Sequence, residues 1–149
     1  MNRLQIVTGL VGVLFATPAL AQAPATSHQA TMAVHKSPTC GCCAKWVDYM
    51  TTAGFKLNVH DMDDVDPIKD QQHVPSALRS CHTSMYGGYV FEGHVPADLI
   101  QKVLKEHPKI AGLAVPGMVA GSPGMDGAPQ PYQVIAFDKD GKTSVYAKR

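Results

Sequence analysis

Three of the chain's four cysteines occupy four consecutive positions, Cys40-Gly41-Cys42-Cys43. They fall where a short apolar run, Met32-Ala33-Val34-His35, passes through Ser37-Pro38-Thr39 into a helical pattern. Cys43, Trp46, Val47 and Met50 keep the spacing of one apolar helix face, with Thr39 placed to cap its start and Gly54 to close its end. Thiols this close bind a metal, exchange disulfides or are oxidised with partners elsewhere. They make a poor staple, because a bridge stabilises chiefly by closing a long loop and Cys40 to Cys43 closes almost none. Vicinal Cys42 and Cys43 would form a strained ring. The spacing argues for chemistry.

The pattern after this helix sets the architecture. Phe55 to His60 alternates apolar and polar residues as a half-buried strand does, and Asp61, Asp63, Asp64 and Asp66 follow as a solvated turn into a short helix near Pro67 to Gln72. The acidic run lacks the Gly and closing Glu of an EF-hand loop. Ser76 to Tyr86 and Tyr89 to Val95 read as two strands joined by Gly87-Gly88. Pro96 at the first helical position opens a helix with Leu99, Ile100, Val103 and Leu104 on its apolar face, ended by His107-Pro108. Gly112 to Pro131 is a long Gly/Pro-rich loop without periodicity, the kind that is functional or disordered. Two last strands, from Pro131 to Phe137 and from Lys142 to Ala147, flank an Asp140-Gly141 turn. A strand feeding a two-cysteine motif at a helix start, then a strand and later a hairpin and helix, is the thioredoxin arrangement. The expected fold is therefore α/β and thioredoxin-like, with an added Gly/Pro/Met loop and a C-terminal β-hairpin. Such folds place a cis-proline before the third strand, so a cis Val74–Pro75 bond is expected.

The chain's 149 residues, 45% of them apolar, suffice for one domain with a real core. A formal charge of +1 without a Lys/Arg cluster argues against nucleic acid or an anionic membrane as partner. Residues 1–21 read as a signal peptide: Arg3 supplies the positive start, Ile6 to Ala16 the apolar run, and Ala19-Leu20-Ala21 the cleavage signature, with Ala23 as the alternative site. The run is too short to span a membrane, so no membrane insertion of the mature chain is expected. Residues 22–31 read as a flexible leader and 32–149 as the folded domain. Export to the periplasm places the cysteines in an oxidising compartment.

Cys40 and Cys43 have CxxC spacing at a helix N-terminus, which favours the thiolate, the form that is both nucleophile and metal ligand. Disulfide exchange has no use for the inserted Cys42, whereas Cu(I) is well served by clustered, bridging thiolates. Cys81-His82 sits on a strand that the fold brings near the motif. Strand neighbours point to opposite faces, so both reach one site only if a bulge or the strand's end redirects one. His94, at a strand end after Gly93, is a further candidate ligand or supporting group. Met118 and Met125 stand in matching Pro-Gly-Met contexts and add thioether candidates. Zinc is the alternative metal, but it usually takes two separated ligand pairs; here there is more sulfur than one tetrahedral ion needs.

Lys36 to Cys43, Lys45-Trp46-Val47, Ser80 to Thr83, Gly87 to Ala97, and Gly112 to Met118 through Gly121 to Met125 together resemble the CopG-type proteins, small exported metal-binding domains associated with copper resistance. The resemblance covers nearly all of the mature chain. It implies a thioredoxin-like fold carrying a cysteine-bridged copper cluster, with Cys40, Cys42, Cys43, Cys81 and His82 as its ligands. Copper ions, and periplasmic proteins that export or carry copper, are the partners expected. Two other functions are weighed against this one: a periplasmic thiol-disulfide oxidoreductase using Cys40 and Cys43, and an interaction module holding zinc or stapled by disulfides. Catalysis of copper oxidation and reduction is left open; a metal-binding role is the simpler expectation.

Overall fold

The computed structural model describes residues 31–149; the expected signal peptide and all but the last residue of the leader lie outside the described residues. Seven strands form one mixed sheet: β1 (Met32–Lys36), β2 (Leu57–Asp61), β3 (His82–Tyr86), β4 (Tyr89–Glu92), β5 (Gly112–Ala114), β6 (Gln133–Phe137) and β7 (Thr143–Lys148), in the spatial order β2-β1-β3-β4-β5-β6-β7. The helices are α1 (Gly41–Thr52), α2 (Asp66–Gln71) and α3 (Ala97–Glu106). The α/β class expected from the element order is the class observed, and the C-terminal hairpin extends the sheet as β6 and β7.

The two faces of the sheet are covered differently. Val34, Phe91, Leu113 and Ala136 alternate onto one face and meet Trp46 and Met50 of α1 and Leu99, Ile100 and Val103 of α3. Each of those three α3 side chains is buried, contributing about 1.5–3 kcal/mol relative to an exposed one. The opposite face is thinner: Val90, Ala114 and Phe137 pack under Val74 and Leu78, which follow α2. α1 ends in the left-handed cap its sequence promised. Gly54 (φ 91°) donates to the Thr51 carbonyl, and Phe55 to that of Met50.

Several expectations are corrected. The Val74–Pro75 bond is trans, since no cis bond occurs among the described residues; Pro75 instead precedes a 3-10 turn, Ser76–Leu78, its carbonyl accepting the Leu78 N–H. The strand expected from Ser76 therefore begins only at His82. Pro96 stands at the N-cap of α3, not inside its first turn. Cys40, not Thr39, caps α1, its sulfur accepting from the Cys43 N–H at 3.4 Å. The Gly/Pro-rich segment opens with three residues in β5, parallel to β4, because Gly112, Leu113 and Ala114 are buried between β4 and β6.

Topology gathers the chemistry at one end of the sheet. β1 runs out to α1 at the end where antiparallel β3 begins, Lys36 pairing with His82. β4 runs out there too, Thr83 pairing with Glu92, and so does parallel β5, Glu92 pairing with Ala114. The cysteine triple, Cys81-His82, His94 and the first Pro-Gly-Met segment therefore leave the sheet from the same end.

Candidate metal centre

Two groups of possible metal donors lie at this end of the sheet, and they share a residue. Cys40, Cys42, Cys43 and Cys81 form one, and Cys81, His82 and His94 the other; within each, the donor atoms lie within 4.8 Å of one another. Cys40 and Cys43 are joined by a disulfide, whereas Cys42 and Cys81 are free thiols. Cys42 Sγ lies 3.5 Å from Cys40 Sγ. In this oxidised form, two of the four sulfurs are withheld from a metal, and a two-electron reduction returns them.

The Cys81-His82 problem is resolved by where β3 starts. His82 is the first residue of the strand and turns inward, fully buried, with its ring 4.5 Å from that of Trp46. Cys81 lies just outside the strand and is released from its alternation. Its Sγ comes 3.6 Å from His82 Nδ1 and 3.0 Å from His94 Nε2.

The protonation pattern of His94 follows from its neighbours. Nδ1 lies 2.7 Å from the carbonyl oxygen of Pro123, which can only accept, so Nδ1 carries the proton. Nε2 then presents a lone pair to Cys81. A ligating histidine held by a carbonyl behind it has this arrangement. Burial lowers the pKa of His94, the Pro123 bond opposing it, and lowers that of His82 well below the ordinary value, helped by His94, Lys69 and Lys36. Both imidazoles are thereby kept neutral, as metal donors must be. His82 Nε2 is buried without a hydrogen-bond partner. The Cys81 thiol is pushed up to about 11, first by burial and then by Cys42. A bound cation would reverse that preference and release the proton.

The two Pro-Gly-Met segments are fastened to the site from outside. Ser122-Pro123-Gly124-Met125 forms a turn closed by the Met125 N–H on the Ser122 carbonyl, with Gly124 at φ 82°. That turn lies directly on α1: a Cβ on Gly124 would sit 2.7 Å from Trp46 N and 2.9 Å from Cys42 O. The first segment is held by Ser80 Oγ, which donates to the Gly117 carbonyl at 2.7 Å. Met118, 64% exposed, lines a cleft of about 320 Å³ together with Ser80, Cys81, Asp66, Lys69 and Arg79. Of the sequence candidates, six are therefore brought into the two donor groups, Met118 shares a cleft with one of them, and Met125 follows the turn seated on α1. The remaining described histidines stay outside: His35 and His60 stack on neighbouring strands, and His73 and His107 sit at helix ends with φ of 53° and 48°.

A family model described as a protein of unknown function, DUF411, matches residues 78–125, the stretch holding Cys81, His82, His94 and both Pro-Gly-Met segments. Two solved structures match over most of the chain. "Copper resistance protein copG", form 2, is 38% identical over 80% of this chain and 98% of its own, with a TM-score of 0.76. Form 1 is 39% identical over 80% of this chain and 96% of its own, with a TM-score of 0.75. The chain belongs to the CopG copper-resistance family. No curated protein matches.

One part of this CopG-family site was invisible to motif reading. Lys69 and Glu92 form a buried ion pair at 2.6 Å directly behind Ser80 and Thr83. A hint was present for Glu92, a lone charge after Tyr89-Val90-Phe91 in a strand. Nothing marked Lys69, one of several polar residues in a short helix. Three of the four aspartates read as a solvated turn have local roles: Asp61 pairs with Lys36, Asp64 accepts from the Asp66 N–H at the start of α2, and Asp66 faces Arg79.

Proposed function

We propose that this protein is exported to the periplasm and binds Cu(I) there in a thiolate-bridged cluster, serving copper resistance by sequestering copper or cycling it between Cu(I) and Cu(II). The observation that carries this reading is the shared position of Cys81. It belongs at once to an all-sulfur group and to a group with two neutral imidazoles, so one thiolate can bridge ions held on either side. Cys40, Cys42 and Cys43 supply the soft donors that suit Cu(I). His82 and His94 supply nitrogen that tolerates Cu(II), and Cys81 with two histidines is a donor set known to carry copper through both states. Met118 and Met125 are assigned as outer thioether donors, Met118 from the rim of the Cys81 cleft. Copper is cargo here, delivered or removed by periplasmic copper-carrying proteins, and the role is metal binding. Zinc fits the same donors less well, because one tetrahedral ion would leave sulfur unused.

Membership in the CopG family supports copper over other soft metals. For the described residues, no helix is long and apolar enough to cross a membrane. The order strand, α1, strand, then strand, strand, α3 around the cysteine motif supports a thioredoxin-like reading of the core.

One observation favours a second reading, thiol-disulfide exchange: the Cys40–Cys43 disulfide sits at the start of α1, as an exchanger's would. Cys42 separates the two. An exchanger should keep reducing disulfides when Cys42 is changed to serine, whereas a cluster should lose copper. The direct test is anaerobic titration of the reduced mature domain with Cu(I), with bound metal counted against thiols and sulfur and nitrogen scattering read by X-ray absorption. Several tightly held ions per chain are expected. Zero or one weakly held ion would refute the cluster.

A further inference from the structure

Cys81 and His82 can serve one site only because the chain between Ser80 and Thr83 departs from strand alternation, and such a departure needs something to hold it. Ser80 N–H donates to Glu92 Oε1 at 2.6 Å, and Thr83 Oγ1–H donates to Glu92 Oε2 at 2.6 Å. One carboxylate thus grips the residue before Cys81 and the residue after His82. Lys69 Nζ, from α2, donates to the same Oε1 at 2.6 Å and to Thr83 Oγ1 at 3.0 Å. The Gly93 N–H donates to the His82 carbonyl at 2.9 Å, and Ser80 Oγ carries the hold outward to Gly117. The Lys69 and Glu92 side chains are 4% and 0% exposed.

A buried ion pair is weak evidence of added stability, since taking two charges out of water costs about as much as their attraction returns. Its role here is better read from what it holds. Each donor around Glu92 has a partner, the contacts are charge-assisted and short, and two of them end on the segment that carries the donor common to both metal groups.

We propose that Lys69–Glu92 is the positioning pair of the metal centre: it fixes the Ser80–Thr83 segment so that Cys81 Sγ stands between the sulfur group and the two imidazoles. This inference rests on the copper reading for its biological meaning, but its geometry is tested without copper. Lys69 and Glu92 touch no metal; they act through Cys81. Partners that orient metal ligands in this way are worth roughly 10- to 100-fold in metal affinity.

The test compares two double variants in which no buried charge is left unpaired. Lys69→Met with Glu92→Leu removes the acceptor for Ser80 and Thr83. Lys69→Met with Glu92→Gln keeps an acceptor for Ser80. In the metal-free, disulfide-bearing protein, alkylation of Cys81 is timed against Cys42 as internal control. The Leu variant should alkylate Cys81 about tenfold faster, because releasing the Ser80–Thr83 segment uncovers a thiol that is half-buried in the wild type, with Cys42 unchanged. The Gln variant should stay near wild type. With Cu(I), the Leu variant should lose roughly 10- to 100-fold in affinity together with its nitrogen scattering, and the Gln variant should retain most of both. Equal Cys81 reactivity in all three proteins overturns the positioning role, whatever copper does. A Cys81-specific change in a protein that binds no copper upholds the positioning and sinks the copper reading instead.

Discussion

The two Pro-Gly-Met segments look alike in sequence, yet replacing their glycines by alanine should have different consequences. Gly117 (φ 75°) has no atom within 4 Å of where a Cβ would stand. Gly124 (φ 82°) would place its Cβ 2.7 Å from Trp46 N, 2.9 Å from Cys42 O and 3.1 Å from Trp46 Cα, all backbone atoms of a hydrogen-bonded helix. Both substitutions put an L side chain in the left-handed region, costing about 1–2 kcal/mol. Only Gly124→Ala adds a collision. Comfortable contact begins near 3.5 Å, so the turn must retreat by about 0.8 Å. The Pro123 carbonyl retreats with it, and the 2.7 Å hydrogen bond from His94 Nδ1 would open to about 3.5 Å, beyond useful length. Losing that bond adds about 1 kcal/mol. Gly124→Ala should therefore cost about 2–3 kcal/mol against about 1–2 for Gly117→Ala, a difference of roughly 4 °C in melting temperature at about 4 °C per kcal/mol.

The stability readout saturates if the turn simply lifts off, because no variant can lose more than the docking energy of the loop. Copper affinity has no such ceiling. With Nδ1 released, His94 no longer holds Nε2 toward Cys81, and Cu(I) affinity, measured by competition with a colorimetric chelator, should fall roughly 10- to 100-fold. Gly117→Ala should leave it near wild type. If both variants melt together and bind Cu(I) with equal affinity, the Pro123 carbonyl is not what orients His94.

Further outcomes follow from the same geometry. Protein kept in the Cys40–Cys43 disulfide form should bind fewer copper ions than the reduced protein by elemental analysis; equal stoichiometry would mean those two sulfurs are not ligands. Cys81→Ser should reduce copper stoichiometry more than Cys42→Ser, since only Cys81 serves both donor groups, and an equal loss would argue against bridging. The stability of the metal-free protein should fall as pH drops below about 6.5, the ordinary histidine value. His82, His94 and His35 have lowered values in the folded chain, so the unfolded chain takes up protons first; their contribution is complete above 6.5 and lost as pH falls toward the folded values. The raised Glu92 opposes this trend nearer the carboxylate range. Urea melts at pH 7.5 and 5.5 check the sign, and constant stability would contradict the burial of these rings.

What the sequence could and could not disclose divides along the range of the interactions. The periodicity of Cys43, Trp46, Val47 and Met50 and the alternation of the early strands depend on near neighbours, and they locate α1, β1 and β2 to within a residue or two. The capping atom of α1 was missed because a cysteine sulfur, with Cys43 N–H at 3.4 Å, took the place a Thr hydroxyl usually fills. β5 was hidden in a Gly/Pro-rich segment because a three-residue buried strand has no period to detect; its partners, β4 and β6, define it. Among the site residues, Cys81 and His82 were legible as a pair, but adjacency alone set them on opposite faces. What reconciles them is a strand that starts only at His82, just past Cys81, held by a carboxylate on the next strand and a lysine on α2. Glu92 lies 9 residues from Thr83 and 23 from Lys69, so no local pattern links the three. The candidate metal donors are residue types that announce themselves, while the groups proposed to aim them are ordinary residues whose meaning comes only from where the fold puts them. For that reason the positioning groups, Lys69, Glu92 and the Pro123 carbonyl, are the sharper test of how this site works: changing a cysteine asks whether copper needs sulfur, and changing these asks whether it needs sulfur held in one place.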